Sequence, residues 1–272
     1  MLAVRAPSGE WQPIYAAESG PISACGLAAG GTDVYCAYTY DGNSHVAVCD
    51  LQTARVIESI PLPRVRDAHG LVLDGDSVIV ASTGSDEIVR VQLADGRCDV
   101  LWRASSADAD THHLSGLLMH EGRLLCTAFG RRIGPSWADA VDGYLYDLSR
   151  GTYLARGIYQ PHSPALYDGR LYFCESPRGA VRSLEGDVQY VEGYARGLAF
   201  ADDGSYAAGC SIARRAQDIP GATYRNPADT GAPAGRCAVY FGTLGGTLAD
   251  CECSRERLDD LGAEIFDVLT VG

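Results

Sequence analysis

The stretch DAHGLVLDGDSVIVASTGSDEIVRVQL, residues 67–93, contains three short runs rich in Val, Ile and Leu, separated by segments of Gly, Asp and Ser. Short apolar runs bounded by turn residues predict β-strands joined by tight connections. A fourth run, CDVLW at residues 98–102, follows after a further turn segment. The stretch therefore predicts four successive strands.

The hairpin at the start of this stretch recurs along the chain. The other copies are SACGLAAGGTDVYCAYTYDG (23–42), HHLSGLLMHEGRLLCTAFG (112–130), PHSPALYDGRLYFCESPRGAVRSL (161–184) and YARGLAFADDGSYAAGCSIARR (194–215). The anchor leucines of the five copies, Leu27, Leu71, Leu117, Leu166 and Leu198, lie 44, 46, 49 and 32 residues apart. A repeat of roughly 40 to 50 residues with four strands per unit is typical of a β-propeller blade.

The two ends of the chain supply a sixth unit. AEIFDVLTVG at residues 263–272 has the pattern of an inner strand, and LAVRAPSGEWQPIYAAE at residues 2–18 has the pattern of a hairpin. A propeller closes by pairing its termini within one blade, which removes the exposed sheet edges. The sequence therefore predicts one all-β domain, residues 1–272. It would be a six-bladed β-propeller in which residues 1–20 and 262–272 share a blade.

The charge composition excludes several functions. The chain has 22 basic and 35 acidic residues and a net charge of −13, and every basic residue is arginine. Without lysine there is no Schiff base to pyridoxal phosphate. The acidity argues against nonspecific binding of nucleic acid or of anionic membranes. We find no nucleotide-cofactor motif.

The location of the protein is predicted from its apolar and cysteine content. No apolar stretch is long enough for a signal peptide or a membrane-spanning helix. The ten cysteines are irregularly spaced and form no CxxC, so without a secretion signal they are expected to be reduced thiols. These features predict a cytoplasmic protein.

Four stretches carry a family resemblance: HHLSGL (112–117), PHSPALYDGRLYFCES (161–176), ARGLAF (195–200) and EIFDV (264–268). With them the chain resembles a family of bacterial conserved hypothetical proteins of propeller type. The resemblance spans most of the chain and implies the propeller fold and the importance of these stretches. It supplies no reaction.

Polar residues occur at matched places before the anchor residues. Four residues before each anchor, with Val268 as the sixth, stand Ser23, Asp67, His113, His162, Tyr194 and Glu264; two residues before stand Cys25, His69, Ser115, Pro164, Arg196 and Phe266. Positions two apart in a strand face the same way, and inner strands line the central channel. The sequence therefore predicts two stacked rings near one mouth of the channel.

The polar residues of the two predicted rings suit a metal ion. His69, His113 and His162, with the carboxylates Asp67 and Glu264 nearby, would favour Zn, Mn, Fe, Ni or Cu over Ca or Mg. The alternative is structural, since histidines in a wet propeller channel can bridge strands through water.

Loops between second and third strands would overhang the same mouth. Two of them are long, at 130–143 and 211–236. The residues predicted to bind substrate are Arg131, Arg132, Arg178, Arg214, Arg215 and Glu175. Arginines gathered over one mouth of an acidic protein predict binding of a carboxylate or phosphate, and the alternative is solvated loop charge.

Three functions remain open. The first is a metal-dependent lyase or isomerase that acts on a small anionic metabolite. In this enzyme Arg196 would hold a carboxylate or stabilise negative charge, and Tyr194 or Glu264 would move the proton, with Asp67 in the same ring. The second is a propeller that binds a ligand or peptide without turnover. The third is a lactonase-like hydrolase.

Overall fold

A computed structural model describes residues 2–6, 8–15, 22–135, 137–211, 237–244, 247–248, 251–258, 260 and 264–271. Regular structure in these ranges is β, apart from three single-turn 3-10 helices, Thr83–Ser85, Trp137–Asp139 and Ser176–Arg178. No helix of the described residues is long and apolar enough to cross a membrane. The chain divides into two compact units, Met1–Asp110 (unit 1) and Thr111–Gly272 (unit 2).

The described residues of unit 1 form ten strands. They are β1 Leu2–Arg5, β2 Trp11–Tyr15, β3 Ile22–Gly30, β4 Asp33–Tyr40, β5 Asn43–Asp50, β6 Arg55–Pro61, β7 Ala68–Asp74, β8 Ser77–Ser82, β9 Glu87–Gln92 and β10 Cys98–Arg103. β1 and β2 form a two-stranded sheet, whereas β3–β6 and β7–β10 form four-stranded sheets in sequence order.

In the described ranges of unit 2 there are twelve strands. They are β11 Leu114–His120, β12 Arg123–Ala128, β13 Gly143–Asp147, β14 Thr152–Ile158, β15 Pro161–Tyr167, β16 Arg170–Glu175, β17 Ala180–Ser183, β18 Val188–Tyr190, β19 Tyr194–Phe200, β20 Ser205–Ser211, β21 Ala238–Thr243 and β22 Ser254–Arg257. They form three four-stranded sheets, β11–β14, β15–β18 and β19–β22, all antiparallel and in sequence order.

Burial within a blade follows the residue pattern of its strands. Every residue of β8, SVIVAS, is buried, whereas β10, CDVLWR, alternates half-buried and exposed residues as an outer strand does. Val78, Val80, Val89 and Val91 pack together in the core of unit 1. The predicted hairpin repeat is therefore confirmed, and the chain is an all-β propeller protein.

The number of blades differs from the prediction. The described residues form five four-stranded blades, not six. The sheet of β1 and β2 contains no strand from the C-terminal end, and residues 264–271 carry no strand assignment. The predicted sharing of one blade by the two termini is therefore not what the sheets show. The single domain of 1–272 stays a prediction.

Residues 264–271 nevertheless have a fixed place in unit 2. The main-chain N–H of Ile265 donates to Oγ of Ser211 at 2.9 Å, and the same hydroxyl donates to the carbonyl of Ile265 at 3.0 Å. A Cβ on Gly197 of β19 would lie 2.7 Å from the main-chain nitrogen of Val268. The segment thus packs closely against the last blade, where a side chain at Gly197 would not fit.

Candidate functional site

Each inner strand contains a β-bulge near its start. The register shifts by one residue between Ala24 and Gly26, Ala68 and Leu71, Leu114 and Gly116, His162 and Ala165, and Ala195 and Leu198. A bulge inserts one unpaired residue and re-aims the side chains around it. The two predicted rings assume that side chains alternate regularly between the two faces of each inner strand. The bulges interrupt this alternation at the ring positions.

The pairing also changes which residues correspond between blades. The first hairpins close at Asp74, His120 and Tyr167, and five residues before these stand His69, Ser115 and His162. Seven residues before them stand Asp67, His113 and Gln160, which all have φ near +50°. His162 thus matches His69 rather than His113. The comparison of the repeats took Leu166 as the equivalent of Leu71, whereas the strand pairing places Pro164 at that position. This is why the sequence matched His162 with His113.

In unit 1, His69 and Asp67 form a local pair. Nδ1 of His69 lies 3.3 Å from the main-chain oxygen of Asp67 and 3.8 Å from its carboxylate. The imidazole is buried and the carboxylate is half-exposed. The two predicted site residues of unit 1 are therefore in contact.

In unit 2, Phe129 lies against both predicted site histidines. Its ring centroid is 4.2 Å from that of His113 and 5.0 Å from that of His162. The indole of Trp137 covers His113 at 4.9 Å. The structure thus surrounds these imidazoles with aromatic rings, and the two aromatic residues were not among the predicted site residues.

His162 is 2% exposed, and hydrogen bonds hold its imidazole and the neighbouring side chains of Gln160 and Tyr194 in place. Its Nδ1 lies 2.7 Å from Oγ of Ser176 and 3.2 Å from the carbonyl of Gln160. A carbonyl can only accept, so this contact favours a proton on Nδ1. The hydroxyl of Tyr194 donates to Oε1 of Gln160 at 2.7 Å, and Nε2 of Gln160 donates to the carbonyl of Trp137 at 2.8 Å.

Arg196 completes this set of residues, which we call the His-Tyr-Arg cluster: His113, Phe129, Trp137, Gln160, His162, Ser176, Tyr194, Arg196 and Phe266. Its guanidinium lies 4.2 Å from the ring centroid of Phe266 and 5.8 Å from that of Tyr194. The ring of Tyr194 is 5.7 Å from that of His162. Predicted Glu264 is half-buried and stands two residues before Phe266.

Arg196 is a buried charge. Arg196 is 6% exposed, and its Nε has no hydrogen-bond partner in the described part of the chain. No carboxylate among those residues lies within 4.0 Å of the guanidinium. A buried guanidinium needs an anionic or hydrogen-bonding partner to offset its lost hydration.

Cys174, the cross-strand partner of His162, is not a nucleophile in this arrangement. Burial raises the pKa of its thiol far above the usual range, and the nearby charge of Asp267 raises it further, while Arg196 lowers it by less. The thiol is therefore neutral at pH 7. It packs as a small apolar side chain.

The predicted metal site gains no support from the geometry. No group of three or more His, Cys, Asp and Glu side chains in the described ranges has an arrangement that suits a metal ion. His113 and His162 both pack on Phe129, an apolar ring without a ligand atom. The metal stays a prediction, and we derive no chemistry through it.

The predicted substrate-binding residues lie in different surroundings. Arg131 is exposed, and Arg132 lies 5.2 Å from the centroid of the Trp137 ring. Glu175 is 1% exposed and pairs with Arg178 at 3.1 Å and with Arg182 at 2.6 Å. Arg214 and Arg215 lie outside the described residues. Glu175 and Arg178 therefore neutralise each other. Among the predicted arginines that the structure describes, Arg132 contacts the cluster, through Trp137.

Sequence reasoning missed Phe129, Trp137, Gln160 and Ser176. It searched for titratable residues at fixed distances from anchor leucines, and these four are uncharged. Phe129, Gln160 and Ser176 could have been found from their position next to the ends of inner and second strands, in the AFG, YQPHS and ES segments. Trp137 could have been found from its place in the long connection between β12 and β13, in the PSWAD segment.

Several solved structures share the fold. The chain resembles the PQQ-bound form of aldose sugar dehydrogenase from Streptomyces coelicolor, with a TM-score of 0.64 and 15% identity over 93% of this chain and 86% of that one. It also resembles regucalcin, a calcium-binding protein from Agrobacterium tumefaciens, with a TM-score of 0.63 and 14% identity over 92% and 78%. A nidogen/laminin complex gives a TM-score of 0.61 and 11% identity over 90% and 84%. At these identities the likeness shows the fold alone.

A search of curated proteins gives no match to this chain. A family model described as "Domain of unknown function (DUF4915)" matches residues 63–271, which is well over half of the sequence. This match confirms the resemblance to a family of conserved hypothetical proteins of propeller type. The chain belongs to the DUF4915 family.

Proposed function

We propose that the His-Tyr-Arg cluster of unit 2 is the active site of a lyase or isomerase that acts on a small carboxylate metabolite. The observation that carries the proposal is the buried guanidinium of Arg196, which has no carboxylate partner among the described residues and lies beside Tyr194. A substrate carboxylate would supply the missing anion.

Arg196 would bind this carboxylate through its forked N–H groups. The ring of Phe266, 4.2 Å away, supports the guanidinium plane from one side. A planar guanidinium that stacks on an aromatic ring keeps its N–H edge available for a bidentate contact. The binding energy would orient the substrate relative to Tyr194 and hold water away from the charge.

Tyr194 and His162 would move the proton. Lyases and isomerases of hydroxy- and keto-acids share one step, in which the C–H bond next to a carbonyl or carboxylate breaks and its electron pair passes to the oxygen. His162 would accept this proton on Nε2, because its Nδ1 contacts the carbonyl of Gln160. The hydroxyl of Tyr194, which donates to Oε1 of Gln160 in this structure, would turn to the substrate oxygen and donate a hydrogen bond or a proton to it.

The remaining members of the cluster would position these groups. Ser176 and Gln160 fix the imidazole of His162, and Phe129 packs on its edge. Glu264 stays a second candidate for the proton-transfer role predicted from the sequence. The proposal includes no metal, since the described residues do not form its ligand set.

Proton NMR in D2O tests the proposal without knowledge of the full reaction. The purified protein is incubated with small 2-hydroxy-, 3-hydroxy- and 2-keto-carboxylates and with the corresponding neutral amides. We expect deuterium incorporation next to the carbonyl or carboxylate of at least one acid and none in its amide. Tyr194→Phe should lose this incorporation, and Tyr190→Phe is its matched control, because Tyr190 is an exposed tyrosine of the outer strand β18.

Two results would contradict the proposal. If no acid of the panel exchanges or changes, the site has no lyase or isomerase activity toward this class. If an acid binds tightly without exchange, the cluster is a ligand-binding site, as in the second function predicted from the sequence. Hydrolysis of a lactone without exchange would instead support the lactonase alternative.

A further inference from the structure

A pocket lies in unit 1, and none of the residues that line it belongs to the His-Tyr-Arg cluster. It has a volume of about 440 Å³ and is lined by Arg64, Arg66, Ser85, Glu87, Arg103 and Asp108. Small-molecule pockets in proteins commonly measure about 300–1,000 Å³. Three arginines on one pocket are unusual for a chain with a net charge of −13.

The charges in this pocket do not balance. Glu87 is a largely buried carboxylate that pairs with Arg103 at 2.7 Å and with Arg64 at 3.3 Å. One carboxylate thus faces two guanidinium groups. Arg66 pairs with Asp108, whose side chain is 86% exposed. An ion pair with so exposed a partner contributes little and is readily exchanged for another anion.

The backbone that carries two of the arginines is fixed. Arg64 and Arg66 flank Val65, which is buried with Leu62 in the core of unit 1. The main-chain N–H of Arg66 donates to Oγ of Ser82 at 2.9 Å, and its carbonyl accepts from the N–H of Gly84 at 2.9 Å. A site with a fixed backbone loses less entropy when it binds a ligand.

We propose that this pocket binds the oxyanion group of a small molecule, a phosphate or a dicarboxylate, between Arg64, Arg66 and Arg103. The forked N–H groups of arginine match the oxygens of both anions. Glu87 holds Arg64 and Arg103 in place, and the anion replaces Asp108 as the partner of Arg66. This goes beyond the activity proposed for unit 2 and does not depend on it.

Isothermal titration calorimetry of the full chain with inorganic phosphate, sulfate and malonate tests this site, with sodium chloride at equal ionic strength as the blank. All titrations use the Arg196→Gln background, which removes the positive charge of the unit 2 cluster, so that anion binding there does not contribute. We expect saturable binding of at least one anion. Tighter binding of phosphate would indicate a phosphorylated ligand, and tighter binding of malonate a dicarboxylate.

Two variants should shift the affinity in opposite directions. Arg66→Ala should weaken binding about tenfold or more, because it removes one bidentate partner. Asp108→Asn should tighten binding, because it removes the competing carboxylate. Arg97→Ala is the matched control, since Arg97 is an exposed arginine that contacts Asp99 and does not line the pocket.

Arg66, Asp108 and Arg97 are at least partly exposed, so their substitution is expected to leave the fold intact. Arg196 is buried, so circular dichroism melting checks the folding of the background protein as well as of each variant. Failure of phosphate, sulfate and malonate to bind would overturn the proposal. So would equal dissociation constants for Arg66→Ala and Arg97→Ala.

Discussion

The guanidinium of Arg196 lies 4.2 Å from the ring centroid of Phe266, so the inner strand of the last blade and the C-terminal segment meet at the proposed active site. The contact joins two residues that are 70 positions apart in the chain. Because Ser211 exchanges two hydrogen bonds with Ile265, the position of Phe266 is set by the last blade itself.

Phe266→Leu should therefore impair the site more than the fold. The substitution keeps most of the apolar area but removes the ring, and a cation–π contact contributes about 0.5–2 kcal/mol. We expect a drop in stability of about 1 kcal/mol and weaker carboxylate binding, measured by urea denaturation and by titration with an acid that exchanges in the NMR assay. Phe241→Leu, in the same unit but on β21, is the control; equal loss of binding in both variants would contradict the assigned role.

Glu175 should prove structural, contrary to the substrate-binding role predicted from the sequence. Its carboxylate accepts the main-chain N–H of Tyr159 at 3.1 Å in addition to its two arginines. Glu175→Ala leaves that buried N–H without its acceptor, so we expect a loss of about 2–3 kcal/mol. Arg178→Ala should cost under about 1 kcal/mol, since half of its side chain is exposed and Arg182 remains. Urea denaturation measures both, and equal losses would contradict this interpretation.

Asp147 should contribute a pH-dependent part of the stability. Burial raises the pKa of its carboxyl, but the hydrogen bonds from Arg123 and the main-chain N–H of Arg150, with the charges of both, lower it overall. A group with a lowered folded-state pKa stabilises the protein above its unfolded pKa of about 3.9 and loses this effect as the pH falls through the folded value.

The difference in Tm between wild type and Asp147→Asn should thus be largest above about pH 4 and shrink below it. Asp99→Asn, at an exposed position, is the control and should show almost no difference at any pH. Thermal melts from pH 2.5 to 7 measure both variants. A difference for Asp147→Asn that grows as the pH falls would show that the sign is wrong.

The buried thiols should be unreactive in the folded protein. Burial, helped by the carboxylate of Asp33, raises the pKa of Cys49 to about 11, and burial raises that of Cys210 to about 12. Cys98, Cys251 and Cys253 are the half-buried cysteines, and the other seven are buried. At pH 8 a thiol-specific colorimetric reagent should modify at most these three, and all ten in urea. Fast modification of more than three in the native protein would contradict the described burial.

The repeat of strands could be predicted from the sequence because its determinants are local. The turn after Asp74, with Gly75 at φ +59°, and the apolar run of β8 both appear in the sequence where the structure has them. Turn residues and alternating apolar residues act over a few positions, so they are legible without knowledge of the fold.

The register of the inner strands could not be predicted in this way. The bulge between His162 and Ala165 shifts the pairing by one residue. Pro164 marks an irregular strand at this point, but it does not fix the register that results. Because the blades were aligned on leucines, His162 was matched with His113, whereas the pairing matches it with His69. The prediction that the two termini share a blade was wrong for a related reason. Strand pairing between chain termini is a long-range property, and the alternation of apolar and polar residues does not encode it.

The site was predicted in part. His113, His162, Tyr194 and Arg196 were selected from the sequence, and contacts through Phe129, Gln160 and Phe266 link them in unit 2. Their polar character stood out because the strands around them are apolar. Of the residues that connect them, Phe266 already stood in a predicted ring, whereas Phe129 and Gln160 are uncharged and were not selected.

The most direct test of the central claim is the rate of deuterium exchange into a carboxylate substrate, compared between wild type, Arg196→Lys and the control Arg156→Lys. Arg156 is an exposed arginine on the outer strand β14, where it pairs with the carboxylate of Asp142. A lysine cannot supply the bidentate fork, so we expect exchange by Arg196→Lys to fall about a hundredfold or more while Arg156→Lys keeps the wild-type rate. Wild-type exchange in Arg196→Lys would contradict the account, because the buried guanidinium would then not bind the substrate.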